Sequence, residues 1–213
     1  MEKIAQKDAS VIVDNLIVAI RENKQFLSEI DGAIGDGDHG INMNKGFTLC
    51  REALDKQSGD LAYSCNVLGK ILMMKIGGSM GPLYGKFFIA FGKSFDGKED
   101  IGREDFGFAL ASALAELRKI SPAQVGDKTL MDVLIPAEAA YSASAADGAP
   151  FRVCLDKMQE AALKGRDSTV DLVAKIGRSS RLGERSRGVM DAGSASCYLI
   201  LSSMAESIKT LLG

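Results

Sequence analysis

Apolar residues recur at three- and four-residue intervals along nearly the whole chain, and the every-second-residue alternation of a half-buried strand is almost absent. Val13, Leu16, Ile17 and Ile20 share one face of a helix over residues 8–22. Residues 25–30 continue as a short helix that ends at Asp31-Gly32. Further helices are expected over 40–56, 61–75, 82–94, around 106–117, over 129–146, over 151–163 with a restart over 167–175, and over 194–212. Asp60 is placed to cap one of them and Pro82 suits the first turn of another. Residues 95–103 are polar and contain glycine, so they read as a surface loop. No strand is expected. Eight or nine amphipathic helices, several with more than one apolar stripe, specify an all-α bundle in which each helix has two neighbours. No linker or internal repeat divides the 213 residues, which therefore read as a single domain, 1–213.

One stretch does not serve a hydrophobic core. Residues 31–46 hold Asp31, Asp36 and Asp38, the chain's only histidine (His39) and five glycines. Carboxylates this close together repel one another unless a cation sits among them, and dense glycine lets backbone approach a ligand closely. Three motif matches fail here. Gly35-Asp-Gly37-Asp-His-Gly40 has the letters of a dinucleotide fingerprint, but a helix precedes it where a strand is required. A calcium loop starting at Asp36 would put Phe47 where the last bidentate carboxylate belongs. Gly85-Lys86 lacks the spacing of a phosphate loop. What survives is a magnesium site, since that ion takes one or two carboxylates and fills its other positions with water and substrate phosphates. The helix after His39 points unpaired N–H groups back at it. The competing reading is a set of Asx turns capping that helix.

Three further stretches sit at helix starts: Gly77-Gly-Ser-Met-Gly-Pro82, Gly126-Asp-Lys-Thr129 and Asp191-Ala-Gly193. Each alone says only that a helix begins. In an antiparallel bundle alternate helices begin at the same end, so these starts are expected to gather around the aspartates. Residues 176–191 carry Arg178, Arg181, Arg185 and Arg187 with three glycines and little periodicity. They read either as a solvated loop or as a wall that offers guanidinium groups to phosphate.

The remaining features bound the setting. A net charge of -2 gives no electrostatic reason to expect nucleic acid or an anionic membrane as partner. Apolar runs fall far short of the ~20 residues of a membrane span, the first residues lack the marks of a secretory signal, and four scattered cysteines read as buried hydrophobes in a reducing compartment. A cytoplasmic protein is expected.

The segments 34–47, 77–85, 126–129 and 177–186, in this order and spacing, resemble the nucleotide-binding L subunit of dihydroxyacetone kinases over nearly the whole chain. The resemblance implies a closed barrel of about eight antiparallel helices with ADP or ATP at one end. It implies two Mg2+ ions held by Asp31, Asp36 and Asp38. It places other nucleotide contacts at His39, Gly40, Ile41, Asn42, Ser79, Met80, Leu130, Arg178, Asp191, Ala192 and Gly193. Where the family often reads Gly-Gly-Ala-Ser-Gly, this chain has Gly-Gly-Ser79-Met80-Gly, and the family's Asp-Pro-Gly-Ala is here Asp191-Ala192-Gly193-Ser194. The resemblance also implies a division of labour. A separate K subunit holds the keto sugar on a histidine, and this chain transfers phosphate from ATP or from bound ADP recharged by a phosphohistidine protein of the sugar phosphotransferase system. The alternative use of the same pocket is a nucleotide-loaded regulator that docks onto a transcription regulator or other partner. The oligomeric state, a homodimer included, stays open.

Overall fold

The structure, a computed structural model, describes residues 2–213. Nine α-helices dominate the described residues: α1 (Val11–Glu22), α2 (Lys24–Ile34), α3 (His39–Lys56), α4 (Leu61–Lys75), α5 (Met80–Lys93), α6 (Arg103–Arg118), α7 (Met131–Ala146), α8 (Phe151–Ser168) and α9 (Ala192–Leu211). Eight of them close a ring. In order round it, α1 packs on α3, α3 on α4, and each helix on the next through to α9, which returns to α1. The short α2 lies outside this circuit, against α3 and α9. The expected all-α barrel is therefore observed. Its interior is one continuous apolar cluster that includes Leu16, Phe47, Leu68, Phe88, Leu110, Leu134, Met158 and Leu201.

Two local features set the geometry of the barrel. The first is a glycine seam between α4 and α5. A Cβ on Gly69 would lie 2.8 Å from the Gly85 carbonyl oxygen, and one on Gly85 would lie 3.0 Å from that of Gly69. The helix backbones meet with no side chain between them. The second is an aromatic plug built from Phe91, Phe95, Phe106, Tyr141 and Phe151. Phe91 meets Phe95 and Phe106 edge-on, with centroids 5.1 and 5.5 Å apart. Phe106 in turn touches Tyr141 and Phe151. These rings come from the end of α5, the start of α6, the later turns of α7 and the start of α8. In an antiparallel ring they share the end opposite the starts of α5 and α7.

The structure corrects several boundaries. A two-stranded antiparallel pair exists where no strand was expected: β1 (Lys3–Ala5) against β2 (Asp100–Gly102), with Ile4 opposite Ile101. Three residues are too few for alternation to register in the sequence, yet both isoleucines are buried. Residues 95–103 are accordingly not a simple surface loop, and Phe95 is fully buried in the aromatic plug. α2 runs four residues beyond Ile30, so Asp31 sits in its last turn rather than after it. No helix covers residues 167–175 beyond the end of α8 at Ser168. The arginine-rich stretch contains a 3-10 helix, Ser179–Ser186, kinked at Gly183.

A candidate metal and phosphate cleft

The starts of α3, α5, α7 and α9 and the ends of α2 and α6 surround a cleft of about 500 Å³. Four helix N-termini therefore border one space, and their dipoles favour an anionic ligand there. On one side stand the three aspartates. Asp31 projects from the last turn of α2, Asp36 from the connecting loop, and Asp38 from the residue that precedes α3. Each offers a carboxylate oxygen, and these oxygens all lie within 4.8 Å of one another. Asp38 occupies the N-cap position of α3 but does not cap it. That observation counts against the reading of the cluster as Asx turns. Asp31 accepts the His39 backbone N–H at 3.2 Å, and Asp36 pairs with the Arg178 guanidinium. The donor set, three hard oxygens partly exposed to an open cleft, suits magnesium.

Backbone proximity makes this convergence possible. A Cβ on Gly40 would lie 2.0 Å from the Lys24 carbonyl oxygen and 2.7 Å from the Ser28 hydroxyl. α2 and α3 thus touch at Gly40, which brings Asp31 alongside Asp38. Gly40, Ile41 and Asn42 form the first turn of α3 but do not line the cleft, and Ile41 is exposed.

His39 is buried at the cleft wall. Its Nε2 lies 2.9 Å from the Ser196 hydroxyl, which lies 2.7 Å from the Tyr84 hydroxyl. Tyr84 donates to the Gly193 carbonyl at 3.1 Å. Burial pushes the His39 pKa down to about 4, only partly opposed by the Asp31 charge, so the ring is neutral at pH 7. This network ties the starts of α3, α5 and α9 together. Neither Tyr84 nor Ser196 stood out in the sequence, because a lone hydroxyl on an apolar helix face carries no pattern.

The opposite wall is apolar. Met80, Leu83, Ile120, Pro122, Leu130, Met131 and Ile176 line it, so a flat uncharged ring could lie there while a charged tail reaches the aspartates. Of the residues expected from the family, Asp31, Asp36, Asp38, His39, Ser79, Met80, Leu130, Arg178, Asp191, Ala192 and Gly193 all line the one cleft. Leu83, Ile120, Pro122, Met131 and Ile176 were missed as wall residues, since apolar positions at helix ends look like ordinary core.

The start of α7 and that of α9 brace each other. The Asp132 carboxylate accepts the N–H groups of Gly126 at 2.6 Å and Thr129 at 2.7 Å. The Ser194 hydroxyl donates to the Thr129 carbonyl at 2.7 Å. Asp191 caps α9 by accepting the Ser194 N–H at 2.7 Å. Burial nevertheless raises the Asp191 pKa to about 6, the hydrogen bonds from Ser194 notwithstanding. A carboxyl that holds its proton more tightly when folded loses the protein stability as pH rises from about 4 to about 6, and the loss is constant above that. Asp191→Asn keeps the cap acceptor without the charge. Its stability relative to the parent is expected to increase across that window and then level off. Urea midpoints of both proteins from pH 4 to pH 8 check this, and a difference independent of pH would reject it.

No helix among the described residues is long and apolar enough to cross a membrane. The DAK2 domain family matches residues 33–206. The chain is 33% identical over 204 residues to the PEP-dependent dihydroxyacetone kinase 2, ADP-binding subunit DhaL, of Listeria innocua, covering 93% of each chain. It is 34% identical over 190 residues to the PTS-dependent dihydroxyacetone kinase, ADP-binding subunit DhaL, of Lactococcus lactis, covering 89% of this chain and 91% of that one. Among solved structures it is similar to the dihydroxyacetone kinase of C. freundii, with a TM-score of 0.68, 25% identity and 93% of this chain covered. That match spans 34% of the C. freundii chain, about a third of its length.

Proposed function

The chain belongs to the DAK2-domain family of dihydroxyacetone kinase ADP-binding subunits, and from that premise we propose that it is the phosphoryl-transfer subunit of a kinase for dihydroxyacetone or a related short keto sugar. The observation that carries the reading is the convergence of Asp31, Asp36 and Asp38 at a cleft ringed by four helix N-termini. In this reading residues 1–213 act as one nucleotide-binding unit in the cytoplasm. The three aspartates would hold two Mg2+ ions, which would supply charge neutralisation at the phosphates of ADP or ATP. The N–H groups at the start of α5, where Ser79 and Met80 line the cleft, hold phosphate oxygens. Arg178, which borders the cleft and pairs with Asp36, would offer its guanidinium to phosphate. Met80, Leu83 and Leu130 cover the base and exclude water from it. The neutral His39 orients the start of α3 and carries no proton to or from the reaction.

The keto sugar comes from a partner K subunit, because the cleft offers no second histidine to hold it: His39 is the chain's only one. The phosphoryl donor is a phosphohistidine protein of the sugar phosphotransferase system acting on retained ADP, in keeping with the PEP- and PTS-dependent relatives. Reconstitution tests this. The chain is mixed with a K subunit, dihydroxyacetone, Mg2+ and either ATP or the phosphorelay proteins. Dihydroxyacetone phosphate is expected only when this chain and a K subunit are both present. Nucleotide binding without product under either donor would overturn the kinase role and leave a nucleotide-loaded regulator.

A further inference from the structure

Lys128 is a buried charged side chain at the start of the turn into α7. Its side chain is 1% exposed. Its ammonium nitrogen lies within hydrogen-bond distance of four backbone carbonyls, Thr169 at 2.6 Å, Leu172 at 3.1 Å, Ser186 at 2.8 Å and Val189 at 2.6 Å, so its three N–H groups are shared among four acceptors. Its backbone lies at φ +63°, the one positive φ at a non-glycine among the described residues. Side chains rarely adopt that conformation without a compensating contact.

The four carbonyls come from both ends of the segment that joins α8 to α9. Within it the Gly188 N–H donates to the Val170 carbonyl at 2.8 Å and the Ala174 N–H to the Ser186 hydroxyl at 2.9 Å. The segment is thus folded back on itself with carbonyl oxygens turned inward toward one point. Four inward carbonyls repel one another unless a positive charge sits at their centre. An uncharged amine would turn a lone pair on one of them. Rings of carbonyl oxygens of this kind replace the hydration shell of a monovalent cation. The same segment carries Arg178 and Asp191 into the cleft.

We propose that Lys128 is a positioning residue whose ammonium acts as a built-in monovalent cation, around which residues 169–191 fold so that Arg178 and Asp191 face the phosphate cleft. The consequence for nucleotide rests on the function proposed above; the folding of the segment around the charge does not.

Two variants test it. Lys128→Gly suits the positive φ and opens space for an ion among the carbonyls. Lys128→Met fills the space without charge. Amide exchange of residues 169–191 is followed without nucleotide, in choline, sodium, potassium and ammonium chloride at equal ionic strength, with circular dichroism to check the helices. Mg2+-ADP titrations run in parallel. In choline, the Ala174 and Gly188 amides of Lys128→Gly are expected to exchange at least ~10-fold faster than in the parent. Potassium or ammonium restores protection, and ADP affinity with it. Lys128→Met exchanges fast in every salt, and the parent is indifferent to the cation. Parent-like protection of Lys128→Gly in choline, or a loss that no cation restores, would overturn the proposal. A parent protein that binds no Mg2+-ADP would sink the nucleotide reading and leave the exchange result to decide this one.

Discussion

Asp38→Asn is expected to abolish magnesium-dependent ADP binding while leaving the helical barrel intact. The substitution keeps the shape of the side chain and removes one of three carboxylates whose oxygens lie within 4.8 Å of one another. Three negative charges at that spacing repel by roughly 1–4 kcal/mol per pair, depending on how much water screens them. Without metal, then, the variant should be no less stable than the parent. With metal and nucleotide the order reverses. A ligand at 100 times its Kd stabilises a protein by about 2.7 kcal/mol, and each kcal/mol moves the Tm of a chain this size by roughly 2–4 °C. The parent should therefore gain roughly 5–10 °C on adding Mg2+-ADP, and Asp38→Asn should gain nothing. Asp38 is a better choice than Asp36 because Asp36 pairs with Arg178. Asp36→Asn would release that guanidinium as well as remove a ligand, and the two effects could not be separated. A full magnesium-dependent shift in Asp38→Asn would end the metal assignment.

The helices and the aspartates were legible in the sequence for different reasons. Helices such as α4 and α9 bury residues at every third or fourth position, and one repeating interval suffices to see that. The aspartates stood out because Asp31, Asp36 and Asp38 crowd into eight residues, a density of carboxylates that a hydrophobic core does not need. Helix order then implied that alternate helix starts share one end, and the cleft bears this out. Lys128 was not legible. Its four partners lie 41 to 61 residues away and are backbone carbonyls, which every residue type carries. The link between Tyr84, Ser196 and His39 was hidden likewise, since it depends on the rotation of three helices about their axes. The pairing of Ile4 with Ile101 joins two three-residue segments nearly the whole width of five helices apart in sequence. Periodicity reports which face of an element is buried; it does not report what that face meets.

Gly40→Ala is expected to destabilise the protein by roughly 2–3 kcal/mol and to weaken Mg2+-ADP binding at least ~10-fold, although Gly40 does not line the cleft. The added methyl would lie 2.0 Å from the Lys24 carbonyl oxygen and 2.9 Å from the Ser28 amide nitrogen. Both belong to α2 and neither is the movable end of a side chain, so α2 has to move away from α3 by more than about 1 Å to restore ordinary contact. Asp31 rides on α2 and Asp38 is fixed to the start of α3, so the same movement parts two of the three carboxylates. An error of that size in the placement of ligands is enough to cost a factor of about ten or more in binding. Gly32→Ala provides the control. It lies one residue from Asp31 in the same helix, but its added Cβ would meet only the Gly37 Cα, at an ordinary 3.7 Å. There the gain in helix propensity should dominate, stabilising the protein by up to about 1 kcal/mol with ADP affinity kept. Thermal melts and calorimetric titrations of both variants separate the two cases. If Gly40→Ala melted with the parent and bound Mg2+-ADP as tightly, the contact between α2 and α3 would not be what holds Asp31 beside Asp38.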